Sequence, residues 1–134
     1  MTINFHPKVG TVLICDFNTG FRPPEMVKKR PVVVVSRSHS QLATIVPLST
    51  VEPFPFEKYH HEMEANSLPH PLCLKRSWAK CDLVSTVAFW RLDRVKAGKD
   101  PASGKRIYVS HVVSAKDLKA IQQAILHVLG LKMT

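Results

Sequence analysis

Apolar residues fall along this chain in short β-branched runs separated by turn formers. "TVLICDF" (11–17) and "PVVVVS" (31–36) have little polar interruption and read as buried strands. Pro31 fits only the first position of such a strand, or an edge. Between them "NTGFRPPEMVKKR" (18–30) reads as a loop, punctuated by Gly20 and Pro23-Pro24. "SRSHSQ" (36–41) reads as a turn, and "LATIVPLST" (42–50) as a third strand ending near Ser49-Thr50. A Pro- and Phe-rich connection, "VEPFPF", follows. "EKYHHEMEA" (57–65) reads as a strand on the alternation of Tyr59, His61 and Met63, and "NSLPHP" (66–71) as a turn.

"SWAKCDLVSTV" (77–87) reads as a strand running into a turn or short helical segment. "AGKDPASGK" (97–105) has loop composition and "RIYVSHVV" (106–113) is strand-like. One segment has helical periodicity: Leu118, Ile121, Ile125, Val128 and Leu129 share a face. Ser114 and Asp117 predict a capping box before it, and Gly130 a stop after it. The pattern predicts a mainly β fold: a small, strongly bent antiparallel sheet or partial barrel with one C-terminal amphipathic helix, in a single domain over 1–134.

Composition narrows the class. No apolar run approaches the roughly 20 residues of a membrane span, and the N-terminus lacks a signal-peptide pattern. The expectation is a soluble, cytoplasmic protein that does not engage membrane. Cys15, Cys73 and Cys81 are too few and too scattered for a disulfide framework. Cys15, in an apolar run, reads as a small buried hydrophobe. Lys and Arg number 19 against 10 Asp and Glu, a formal net charge of +9. That surplus favours an anionic partner, and RNA, DNA and an acidic protein all satisfy it.

Known motifs are absent. "HHEME" and "HPLC" followed by Cys81 match no zinc spacing, so no metal is expected, and His60 and His61 read as solvated strand residues. The five glycines are too dispersed for a phosphate-cradling loop. What remains is a set of polar residues at strand ends: Glu25 and Arg30 around the first loop, Ser49 and Thr50 closing the third strand, and Lys80 and Asp82 around Cys81. If 78–82 is extended, Lys80 and Asp82 share a face. An acid, a cation and hydroxyls can cleave RNA without metal. The acid takes the 2′-OH proton, the cation stabilises the phosphorane-like transition state, and a donor assists the departing 5′-oxygen. Arg30 suits the cation role, being always charged and presenting a planar fork.

In order along the chain, Gly10, "TVLICDF", Glu25, "RPVVVVS", "VPLST" and "KCDLVSTVAFWRL" (80–92) resemble the PemK/MazF family of bacterial toxins from toxin–antitoxin pairs. Glu25 precedes Arg30 by five positions, as in that family. The resemblance covers most of residues 8–95 plus the C-terminal helix. It implies an SH3-like or CcdB-like barrel, usually homodimeric. It implies a metal-independent endoribonuclease with no cofactor, leaving a 2′,3′-cyclic phosphate and a 5′-hydroxyl on mRNA or tRNA. It also implies an acidic antitoxin protein as partner. Carried over, Arg30 is the transition-state cation, Ser49 the site hydroxyl, Asp82 the general base and Glu25 the loop acid. Lys28, Lys29, Thr50 and Lys80 are then expected to bind RNA.

Departures from the family pattern lie in the loop and at Lys80. "PPEMVKK" stands where the family has glycine near the Glu and before Arg-Pro, and Lys80 stands for an Arg. Two other readings remain at this level: a non-catalytic module binding nucleic acid or antitoxin, and a gyrase-directed poison on the related barrel.

Overall fold

The computed structural model describes residues 2–36 and 40–132. The turn expected at 36–41 falls largely on 37–39, outside the described residues. The strands are β1 (Val12–Asp16), β2 (Lys29–Ser36), β3 (Leu42–Ser49), β4 (His60–Glu62), β5 (Trp78–Lys80), β6 (Ser85–Ala88), β7 (Leu92–Asp93), β8 (Val95–Lys99) and β9 (Arg106–Val109). One helix, α1, spans Ala115–Val128. Seven strands form a sheet in the order β4-β5-β3-β2-β1-β7, with β6 also paired to β3; β8 and β9 form a separate two-stranded ribbon. The pairings are antiparallel. The mainly β fold with a C-terminal helix is the one the pattern predicts.

Both faces of β2 are buried: Val32, Val33 and Val34 have no solvent exposure. Val33 packs with Val12, Val46, Leu48 and Ala79 under Ile121 and Ala124 of α1. Val32 and Val34 point the other way, into a second core with Leu13, Cys15, Phe17, Ile45, Val87, Phe89 and Leu92. The helix covers one face, and the curl of the sheet with its N-terminal segment (Ile3) covers the other. A run apolar at every position is what burial on both faces requires.

Pro31 departs from expectation, being the third residue of a central strand. The Val34 N–H donates to Thr11 O, so even positions of β2 turn their amides to β1 and odd positions to β3. The β2–β3 pairing starts only at Val32↔Pro47, so the missing Pro31 N–H falls beyond the end of that ladder. Pro47 is accommodated similarly, between the stretch of β3 paired with β6 and the stretch paired with β5.

Three other segments differ from the pattern. Only His60–Glu62 of 57–65 is strand, because the chain then turns through a 3-10 segment at Ala65–Ser67. The loop expected over 97–105 contracts to its centre, since β8 reaches Lys99. β5 ends at Lys80, and Cys81–Leu83 is a 3-10 turn, so the extended geometry that would align Lys80 with Asp82 does not form.

The N-terminus of α1 carries a buried ionic group. The Ser114 Oγ accepts from the Asp117 N–H at 3.1 Å, as the capping box predicts. The reciprocal half is not made: the Ser114 N–H donates to Ser67 Oγ at 2.8 Å. The fully buried Asp117 carboxylate instead accepts from His61 Nε2 at 2.8 Å and from the Glu64 N–H at 3.0 Å. His61 is therefore a structural donor tying β4 to α1, rather than a solvated strand residue. Asp117→Ala leaves both donors unpaired and should cost about 3 kcal/mol in chemical denaturation. Lys116→Ala, which removes only an exposed 3.8 Å contact to Glu64, should cost under ~0.5 kcal/mol.

Burial pushes the thiols of Cys15 and Cys81 up from the ordinary 9.0 to about 12; Arg91 partly offsets this at Cys15, and Asp82 adds to it at Cys81. Below pH ~9 folded and unfolded chains both hold these protons. Between about 9 and about 12 only the unfolded chain releases them, so stability falls as pH rises, by up to ~1.4 kcal/mol per unit for each thiol. The urea midpoint should therefore drop between pH 8 and pH 10.5. Iodoacetamide at pH 8 should modify the half-buried Cys73 in the native protein, and reach Cys15 and Cys81 only after unfolding.

Candidate functional site

The loop entering β2 is held from below by Arg91. Its Nη1 donates to Asp16 O at 3.1 Å, and its guanidinium lies over the rings of Phe21 (4.9 Å) and Trp90 (4.5 Å). Phe21 packs edge-on against the buried Phe17 at 5.0 Å. Gly20 takes a left-handed φ of +84°, close to the Arg91 guanidinium. Glu25 is exposed, and its carboxylate turns back on its own loop, accepting from the Arg22 N–H at 3.3 Å. Its contact shapes the loop and does not reach Arg30. Lys28, exposed, has a φ of 71°, a conformation a side chain rarely adopts. The Lys28 carbonyl accepts from the Phe17 N–H at 2.8 Å, fixing the turn into the strand.

Arg30 is half-buried and paired with Cys15, so its side chain leaves the sheet on the Val32–Val34 face. Its Nε donates to Val27 O at 3.2 Å. Among the described residues it makes no ion pair, so its charge is positioned without being neutralised. Lys29 pairs with Asp16 and projects to the opposite face. Lys29, expected to bind RNA, therefore does not share a face with Arg30.

Carried two residues past Val32↔Pro47, the β2–β3 register sets Arg30 level with Ser49. Ser49 is only 7% exposed, and its Oγ accepts from the Val51 N–H at 3.1 Å, leaving its own proton to donate. Thr50, the next residue, is exposed. Ser49 pairs with Trp78, and Trp78 with Glu62, so these three share a face. Glu62 accepts from Arg76 Nε at 2.7 Å and Nη2 at 2.9 Å, and Arg76 lies 4.8 Å over the Trp78 ring. That bidentate contact holds the Glu62 carboxyl below its usual range.

Lys80, half-buried, alternates with Trp78 and faces His60 across β4–β5. Asp82 is exposed in the 3-10 turn that follows. Tyr59 lies beside it: the Cys81 N–H donates to Tyr59 O at 3.0 Å. Desolvation first, then the charges of Asp82 and Glu57, raises the Tyr59 hydroxyl above its ordinary value. His60 Nδ1 accepts from the Glu57 N–H at 3.0 Å, which places its proton on Nε2.

On the face that carries Arg30, Ser49 shares a row with Trp78 and Glu62, Lys80 lies two residues further along β5 opposite His60, and Thr50 and Asp82 sit on separate turns. Glu25 and Lys28 belong to the loop above, and Lys29 to the far face. The sequence placed Arg91 in the family pattern without a role, and Arg76 and the Tyr59–His60 pair were missed. Arg91 had a signal, since it stands in register with the family's Arg-Leu; the others acquire their meaning only through cross-strand neighbours. A concavity of about 550 Å³ lies elsewhere, between Val35 and Val84 and the end of α1 at Ile125 and Leu129.

Comparison with known proteins gives concordant matches. A family model described as "PemK-like, MazF-like toxin of type II toxin-antitoxin system" matches residues 8–129. The uncharacterized protein YifN of Escherichia coli (strain K12) is 34% identical over 116 residues, covering 72% of this chain and 78% of that one. Among solved structures, MazF (Form-I) from Deinococcus radiodurans superposes with a TM-score of 0.65 at 16% identity, covering 96% of this chain and 100% of that one. An endoribonuclease in complex with its cognate antitoxin, from a mycobacterial species, superposes with a TM-score of 0.62 at 19% identity, covering 96% and 99%. These structural likenesses establish the fold.

The left-handed backbone at Lys28 yields a stability test. Lys28→Gly relieves the side-chain clash and should leave stability unchanged or raised. Lys28→Val puts a β-branched residue there and should be less stable than the glycine variant by about 1–2 kcal/mol in urea denaturation.

Proposed function

The chain belongs to the PemK-like, MazF-like toxins of type II toxin–antitoxin systems, and from that premise we propose that it is an endoribonuclease acting without metal through the 2′-hydroxyl of its substrate. The observation that carries this reading is Arg30, a half-buried guanidinium with no carboxylate partner among the described residues, level with Ser49. An uncompensated cation at the rim of a core costs solvation energy, which a bound phosphate restores.

In the proposed step Asp82 accepts the proton of the ribose 2′-OH. The 2′-oxygen attacks the adjacent phosphorus, and the bond to the 5′-oxygen breaks. Arg30 stabilises the added charge on the equatorial oxygens. The departing 5′-oxygen takes a proton from a neighbouring donor, for which Ser49 and Thr50 are the hydroxyls at hand. The products are a 2′,3′-cyclic phosphate and a 5′-hydroxyl, and no water is consumed. Lys80 and Lys28 contribute sequence-independent attraction for the strand, with Lys29 reaching phosphates only from the other side of the rim. Glu25 keeps the loop in shape over the site.

The net charge of +9 supports mRNA or tRNA as the substrate class and an acidic antitoxin protein as the partner. A solved structure of similar fold contains an endoribonuclease with its cognate antitoxin. The exposed Val128, Leu129 and Leu131 at the end of α1, beside the 550 Å³ groove, support self-association as a homodimer.

Purified protein should cleave single-stranded RNA in the presence of a chelator, and cleavage should stop when the nucleotide 5′ to the scissile bond is 2′-deoxy. Arg30→Ala should lower kcat by about 10²–10³, and Asp82→Ala by about 10²–10⁴, with unchanged circular dichroism. RNA binding without cleavage by the wild type would point to a binding module. DNA breaks trapped on gyrase with RNA intact would point to a gyrase poison.

A further inference from the structure

The chain leaving Ser49 and Thr50 carries two phenylalanines into solvent. Phe54 is 99% exposed and Phe56 is 56% exposed, whereas Phe17, Phe89 and Trp78 are buried. Prolines at 53 and 55 limit the backbone freedom around them. Both ends of this connection are tied down. At its start the Val51 N–H is held by Ser49 Oγ. At its end the His60 N–H donates to Glu57 O at 3.0 Å, while the Glu57 N–H donates to His60 Nδ1.

The same imidazole joins the loop to the rest of the site. Its ring lies 5.8 Å from Phe56 and 4.6 Å from Tyr59, centroid to centroid. His60 faces Lys80 across the β4–β5 pair, and the Tyr59 carbonyl holds the amide of Cys81, next to Asp82. An aromatic row thus runs from the exposed loop to the proposed base, and the loop's other end is the proposed hydroxyl pair.

We propose that Phe54 and Phe56, the latter backed by His60, form a stacking platform for unpaired nucleobases flanking the scissile phosphate. The proposal deepens the endoribonuclease reading and rests on it. Every base has a π-face, so such rings grip a single strand with little regard for sequence, while nearby cations track the backbone. Lys58 and Lys80 supply those cations. Glu52 and Glu57, exposed beside the rings, disfavour an acidic polypeptide there but do not oppose a neutral base. The platform predicts selection of unpaired RNA, because a base within a duplex has no free face.

The test uses a short RNA with one cleavage site, and copies with an abasic ribose at each flanking nucleotide in turn. Phe54→Ala combined with Phe56→Ala should raise KM roughly tenfold or more, with kcat within about threefold of wild type. One abasic position should weaken wild-type binding comparably and cost the double variant nothing further. A double variant that keeps full sensitivity at every abasic position overturns the proposal. So does a variant unchanged toward RNA but weakened toward poly-glutamate, or one whose sedimentation shows an altered oligomeric state. Should the wild type bind RNA without cleaving it, the nuclease reading fails separately, and the same abasic comparison read as binding affinity decides the platform.

Discussion

Burial of β2 on both faces is the constraint from which the rest of this structure follows. Three successive valines without solvent contact demand cover above and below one strand. Alternation sends Val33 under α1 and Val32 and Val34 into the curl of the sheet. A sheet of seven short strands meets that demand by bending, and the helix is fixed over the remaining face by the buried Asp117. Each fully buried valine contributes about 1.5–3 kcal/mol, so the strand has little freedom to shift register. Arg30 lies two residues before Val32, and its position is as rigid as the core it precedes.

That rigidity suits electrostatic catalysis. A guanidinium stabilises a transition state best when it is already in place and need not reorganise. Arg30 has one anchoring bond, to Val27, and its remaining donors meet no acid among the described residues. Other parts of the site are less constrained. Lys28 and Glu25 ride on a loop, and Asp82 on a single turn. In the proposed mechanism this divides the labour: a core-held charge for the reacting phosphate, with adaptable groups around it to follow the strand of a substrate. Arg91, lying beneath the loop and close to Cys15, ties the two parts together. The chain is a toxin by family, and the two solved structures described above share its fold at under a fifth of identical residues.

Much of this was legible in the residues themselves. β-branching and alternation mark β1, β2 and β3, because burial leaves a direct imprint on residue type. The periodicity of α1, its Ser114 cap and its Gly130 stop are equally local. The motif order, from "RPVVVVS" through "VPLST" to "KCD", selects the family, and it is the source of the proposal of Arg30, Ser49 and Asp82 as site residues. What only the tertiary structure decided is which of these side chains meet. Pro31 is admissible in a central strand because a neighbouring ladder ends beside it. Lys29 and Arg30, adjacent in sequence, part to opposite faces. Lys80 and Asp82 are separated by a turn that a three-residue strand cannot announce. His61 becomes a core donor because Asp117, 56 positions away, is buried against it. Such pairings depend on register between distant segments, and register is set by the packing of the whole sheet, whereas helix caps and buried runs are written in residues close to one another along the chain.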